Sequence, residues 1–310
     1  MGRIARILKN EQGSALVLVA FGLVVMIGAA ALALDAGLLY INRARLVNAL
    51  DSAVLAGVQH LPADPGMAEE TAVQYARLNG LTDGEYSFTV SQDHCSLSGR
   101  ANRQVPLHFA GIFNRYMSQV GARAAARVSP INAAANVVPF GVLEGDFEFG
   151  ELVTLKEGAG NNTYAGWFGA LCLGRSGAKN YEDNIKEGYE GEISVGDILP
   201  IESGNMSGPT KRGVDYRLNQ CQHFPRCTID SFAEGCSRIL IVPVVRIEEI
   251  NSGGHPDSVK VVGFAAFLVS RYTGHGNENM VEGAFVRYLI PGKTGGSPGD
   301  FGLYSAYLYE

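Results

Sequence analysis

Residues 31–57 read ALALDAGLLYINRARLVNALDSAVLAG, and the way this stretch continues decides the fold. It leaves an apolar run and carries on with no helix breaker before Pro62. Upstream, the 21 residues of Ser14–Leu34 contain no charge. That length matches the roughly 20 residues a helix needs to cross a hydrocarbon core. Arg3, Arg6 and Lys9 precede the run, Asp35 follows it, and the next basic residue is Arg43. Positive charge is retained on the cytoplasmic side of a membrane, so residues 1–13 are expected in the cytoplasm and the rest outside. Asp35 then falls at the outer interface, where a carboxylate stays hydrated. Ala31-Leu32-Ala33 resembles a signal-peptide cleavage site, but the apolar core of a signal peptide spans only about 7–15 residues. The core helix of a soluble protein would not be apolar on every face. The reading is a retained anchor over 14–34.

Beyond Asp35 the periodicity changes. Leu39, Leu46, Leu50, Val54, Val58 and Leu61 recur at three-, four- and seven-residue steps, while Asn42, Arg43, Arg45, Asn48, Asp51 and Ser52 take the other faces. One rod therefore emerges from the membrane and becomes amphipathic. Its stripe requires a cover, either a sheet of the same chain or a helix of a partner subunit. Leu39, Leu46, Leu50 and Val54 are the expected interaction positions.

The basic leader, the E-Q-G-S-A at 11–15, the apolar span, the polar positions of the exit and the later TAVQYARLNG together resemble Tad-type (Flp) pilus-assembly proteins of the TadE/TadG-like group. The matching exit residues are Asp35, Gly37, Tyr40 and Arg43, followed by Leu46, Asp51 and Ala53. The likeness covers about residues 10–130 and implies a single-pass envelope protein serving a thin adhesive pilus. Members processed by prepilin peptidase carry a glutamate five residues after the cleaved glycine. With Gly13 as that glycine the position holds Leu18. The chain thus resembles the unprocessed, anchored TadG-type member, and it lacks the Asp-x-Ser-x-Ser motif of a von Willebrand A domain.

The rest of the chain reads as α+β. A helix is expected over 67–79, ended by Gly80, with strands at 86–90, 96–100 and 122–129 and an apolar segment at 105–120 that could be helical. This pilin-like region is bounded at 35–131. Residues 132–310 read as a mainly antiparallel β domain, with strands at 151–156, 165–173, 197–201, 238–247, 259–270, 285–290 and 302–309. Val259–Val269 is apolar on both alternating faces and reads as a central strand. Helices are expected at 181–186 and 210–218, the second capped by Thr210.

The 310 residues carry a net charge of −6, which excludes a basic nucleic-acid footprint over the whole protein. The 39 glycines follow no G-x-y period, which excludes collagen. Five cysteines, an odd number, suit an exported domain with disulfides and a leftover thiol. Cys221, His223, Cys227 and Cys236 are four soft-metal ligand types in a short span, but C-x₅-C and C-x₈-C fall outside the common C-x₂₋₄-C zinc spacing. An oxidising exterior favours disulfides among Cys172, Cys221, Cys227 and Cys236, with Cys95 as a further partner. Ser176-x-x-Lys179 and Lys293-Thr294-Gly295 echo penicillin-binding motifs without an S-D-N element or the right context. Glu144, Asp146 and Glu148 would share a strand face near Glu151.

The expectation is a non-enzymatic, cofactor-free, single-pass membrane component of a Tad-type pilus or secretion apparatus. Its partners would be the membrane and other envelope proteins. The alternative is an exported ligand-binding or sensing module that shares the anchor.

Overall fold

The computed structural model describes residues 12–156, 169–229, 231–250, 256–275, 278–296 and 298–309. Arg3, Arg6, Lys9 and the first half of the strand expected at 165–173 lie outside the described residues. The chain forms two compact units, 1–127 with 308–310 and 128–307, and the division falls within one long strand. The α+β architecture expected from the sequence is the one observed, a long apolar N-terminal helix followed by a mostly β remainder.

Helix α1 spans Gln12–Val58 without interruption, a length of about 70 Å at the rise of an α-helix. Its most apolar window has a mean hydropathy of 2.7 and is almost wholly exposed. A helix that is apolar all round and left uncovered by the described residues is suited to lipid. The second half behaves differently: Leu46, Leu50, Val54 and Val58 are fully buried. They face helix α2, Pro65–Leu78, and strand β2, Ser96–Pro106. Asp64 caps α2 by accepting from Met67 N–H at 2.9 Å. The helix ends where the glycine signal placed it, with Gly80 in the left-handed region at φ 82°.

Strand β1, Tyr86–Val90, pairs antiparallel with β2, which pairs antiparallel with β3, Met117–Ala134. The segment at 105–120 differs from the helical expectation. It completes β2, makes one 3₁₀ turn at Ala110–Phe113, and starts β3. Close approach of α1 to its cover depends on Gly57, where a Cβ would lie 2.5 Å from both Ala68 O and Leu97 Cδ2.

In the second unit, β4 (Val142–Leu143), β5 (Val153–Lys156), β7 (Ile198–Pro200), β8 (Ile239–Ile250), β9 (Pro256–His275) and β10 (Glu278–Val286) form one sheet in the order β4-β8-β9-β10-β5, with β7 beside β9. Strand β9 is central, as its two apolar faces predict. Phe264, Ala266 and Leu268 enter one core, and Ala265, Phe267 and Val269 the other. Pro243 is accommodated beside a bulge at Val244/Val245. Short strands β6 (Ile193–Ser194) and β12 (Lys293–Thr294) pair with β3, and β11 (Tyr288–Leu289) runs parallel to β13 (Leu303–Leu308).

Helices α3, Ala178–Glu187, and α4, Ser207–Gln220, cover one sheet face through Tyr181, Ile185 and Val214. Thr210 is not the cap of α4. The helix starts earlier, and the Thr210 hydroxyl donates to Met206 O at 2.8 Å from inside the first turn. The acidic run does not form a continuous strand either: the paired strand is Val142–Leu143, Phe149 makes an isolated bridge to Phe285, Glu144 makes a two-point ion pair with Arg246, and Phe147 turns inward against Phe285 and Phe301.

Candidate functional site

Two places on the molecule concentrate chemistry. The first is the membrane exit of α1. Asp35 is not hydrated there; it is only 5% exposed. Its carboxylate accepts three backbone N–H bonds, from His108 at 2.9 Å, Phe109 at 3.0 Å and Ala110 at 2.7 Å. These donors open the 3₁₀ turn, so the carboxylate satisfies N–H groups that the turn itself leaves unbonded. Desolvation of the charge is offset by three charge-assisted bonds, which explains how it tolerates burial. The turn so held displays Phe109, Ile112 and Phe113 outward.

Further along α1, Leu39 is half-buried, while Leu46, Leu50 and Val54 are enclosed by the chain's own helix and sheet. Tyr40 is exposed at 75% and Ile41 at 49%. A Cβ at Gly37 would meet nothing within 4 Å. Arg43 lines an open groove of about 500 Å³ with Val47, Arg100, Asn102 and Arg123. The groove carries three guanidinium groups and no carboxylate among its described lining residues.

The second place is the loop between α4 and β8. Cys221 is the C-terminal cap of α4, and Cys236 lies three residues before β8. Between them the chain folds back through a turn closed by Ser231 N–H to Thr228 O and another closed by Cys236 N–H to Ala233 O. This brings together four groups that the sequence spacing kept apart. The Sγ atoms of Cys221, Cys227 and Cys236 and the His223 ring nitrogen all lie within 4.8 Å of one another. His223 Nδ1 is 3.7 Å from Cys221 Sγ and 3.5 Å from Cys227 Sγ, and the sulfurs of Cys221 and Cys236 are 3.6 Å apart. No disulfide joins the cysteines in this structure, and Cys95 and Cys172 are not part of the cluster. Burial raises the Cys221 thiol, but hydrogen bonds from His223 and backbone N–H groups overcome it and bring the group down to about 6. Burial pushes Cys236 up to about 12.

Residues 13–60, the anchor and rod of α1, match the sequence model of the putative Flp pilus-assembly TadE/G-like family. This N-terminal segment is TadE/G-like. No curated protein and no solved structure matches the chain. The TadE/G-like match contains Asp35, Gly37, Tyr40 and Arg43, so the exit geometry lies inside the segment that defines the resemblance. The partners of Asp35 lie outside it, 73 to 75 residues on in the chain.

The remaining motifs separate in space. Ser176 donates to Glu202 at 2.7 Å, whereas Lys179 pairs with Asp183. The lysine is thus engaged elsewhere and does not serve as base to that serine. Lys293 pairs with Glu192 at 2.7 Å. The Asp35 contacts were invisible in the sequence because they join residues far apart along the chain. The apolar FAGIF at 109–113 beside polar neighbours was the one available signal of an exposed turn.

Proposed function

We propose that this chain is a non-enzymatic, single-pass membrane component of a Tad/Flp-type pilus-assembly or secretion apparatus, of the TadG type. The N-terminal tail lies in the cytoplasm, residues 14–34 span the bilayer, and the units beyond Asp35 are exported to meet envelope partners. The observation that carries this reading is the change of character along one unbroken helix. The large apolar side chains of α1 are exposed through Leu34, and one face is enclosed from Leu46 onward, within a segment that matches the TadE/G-like family.

The mechanism is mechanical. The bilayer holds the first half of α1, the second half is stapled to a sheet, and no hinge separates them. Force on the exported units is therefore carried into the anchor along the backbone hydrogen bonds of a continuous helix. Because Leu46, Leu50 and Val54 are used internally, the face left for a partner on the rod is Tyr40, Ile41 and Arg43.

Photo-crosslinking from position 40 in native membranes, with mass spectrometry of the N-terminal peptide, tests the reading. Recovery of pilus-apparatus proteins by a chain still carrying residues 1–13 supports an unprocessed assembly component. A cleaved N-terminus with no such partners would instead leave an exported module that shares only its anchor with the family.

A further inference from the structure

We propose that Cys221, His223, Cys227 and Cys236 form a structural zinc site that fixes the loop between α4 and β8. A tetrahedral ion with Zn–S near 2.3 Å and Zn–N near 2.0 Å sets its ligand atoms apart by about 3.8 Å for S–S and about 3.5 Å for S–N. The observed separations of 3.5, 3.6 and 3.7 Å have that size. Four protein ligands leave no open position, which marks a structural rather than a catalytic centre. Three sulfurs and one imidazole in this arrangement select zinc over hard cations, which take oxygen ligands.

The backbone N–H of Ala233 points at Cys227 Sγ at 3.4 Å. Such outer bonds orient sulfur ligands and disperse their charge. Arg238 adds a buried cation, 6% exposed, whose guanidinium donates to the carbonyls of Cys227, Val269 and Ser270. Three thiolates on a divalent ion leave one net negative charge, which such a guanidinium balances at short range. A disulfide would join only two of the three sulfurs and leave the third sulfur and the imidazole without a role. The loop also needs a cross-link. Residues 221–238 contain no helix or strand among the described positions, and stretches of that length rarely hold together without function or a fastening.

The full chain, purified in detergent without chelators, should carry one zinc ion per chain by elemental analysis. Cobalt exchanged into the site should show thiolate charge-transfer absorption, weakened by about a third in Cys227→Ser or Cys236→Ser, given three thiolate ligands. Cys95→Ser should change neither quantity. His223→Ala, at an exposed position, should retain the β-sheet circular dichroism while losing zinc to a weaker chelator. Zinc content unaffected by Cys227→Ser overturns the site. So does an unreduced chain that lacks zinc and carries a disulfide among Cys221, Cys227 and Cys236.

The turn tied to Asp35 exposes Phe109, Ile112 and Phe113, the last two at 81% and 66%, with Tyr116 and Met117 beside them. Asp35 immediately follows the apolar span, so its bonds to residues 108–110 hold this turn level with the end of the membrane helix. We infer that the turn inserts into the outer face of the bilayer, where aromatic and aliphatic side chains settle at the headgroup boundary. A Phe113→Trp variant in a Trp167→Phe background, reconstituted in vesicles, reports the depth. Quenching by shallowly brominated lipid and protection from aqueous iodide is the expected result. Iodide quenching without lipid quenching overturns the inference, provided unchanged circular dichroism shows the fold intact.

Discussion

Asp35 shows how a single carboxylate connects sequence to architecture. In the sequence it marks where lipid ends; in the structure it is the acceptor on which residues 108–110 hang. Asp35→Asn keeps the shape but removes the charge and turns an amide donor toward the three N–H groups. The loss should be seen as faster chymotryptic cleavage within 107–116 and a lower denaturation midpoint in detergent, because the charge-assisted bonds are the stronger ones. A normal cleavage rate would mean that the turn stands without the carboxylate. Glu85 gives the matching case in pH. Arg103 donates to both its oxygens, at 2.7 and 2.8 Å, and holds its carboxyl down to about 2. The folded value lies below the unfolded one, so the stabilisation is present above the ordinary carboxylate range and is lost as pH falls from about 4.5 toward 2. Glu85→Gln should remove on the order of 2 kcal/mol at neutral pH and flatten the acid limb of the stability curve. An unchanged limb would place the acid sensitivity elsewhere.

At the scale of elements, α1 was the part most legible in sequence, because charge-free length and a later 3.6-residue period are both written locally. The central strand β9 was legible for the same reason: residues 263–269 are continuously buried, as two apolar faces require. Strand ends were less so. β2 runs on to Pro106 because β3 offers partners as far as Met117, and long-range pairing leaves no local mark. The thiol cluster was half legible: its residues stood out, but their convergence depends on turns that the spacing rule does not anticipate. Within α1 the buried and half-buried leucines should respond differently. Leu46→Ala opens a cavity under β2 and should cost about 2–5 kcal/mol, whereas Leu39→Ala, at a half-buried site, should cost less than about 1.5 kcal/mol. Denaturant midpoints measured side by side check this, and equal losses would show that the stripe packs uniformly from the exit onward.

At the scale of the whole molecule, the apolar half of α1 contributes almost nothing to the folding of the rest. Between Leu16 and Leu34 the large side chains are exposed, and Ala31 alone is buried. A segment that buries so little surface adds little hydrophobic stabilisation to its own chain, so its apolar character answers to the bilayer. Deleting residues 1–33 while keeping Asp35 should therefore leave both units folded, with circular dichroism and the Leu46-dependent midpoint unchanged within about 0.5 kcal/mol. The shortened chain should leave the membrane fraction, yet still associate weakly with vesicles through Phe109, Ile112 and Phe113. Sedimentation and a vesicle flotation assay separate the two effects. A shortened chain that unfolds or aggregates would show that the anchor is covered by the protein itself; one that folds and floats only until Ile112 and Phe113 are changed to serine locates the residual membrane contact in the turn that Asp35 holds.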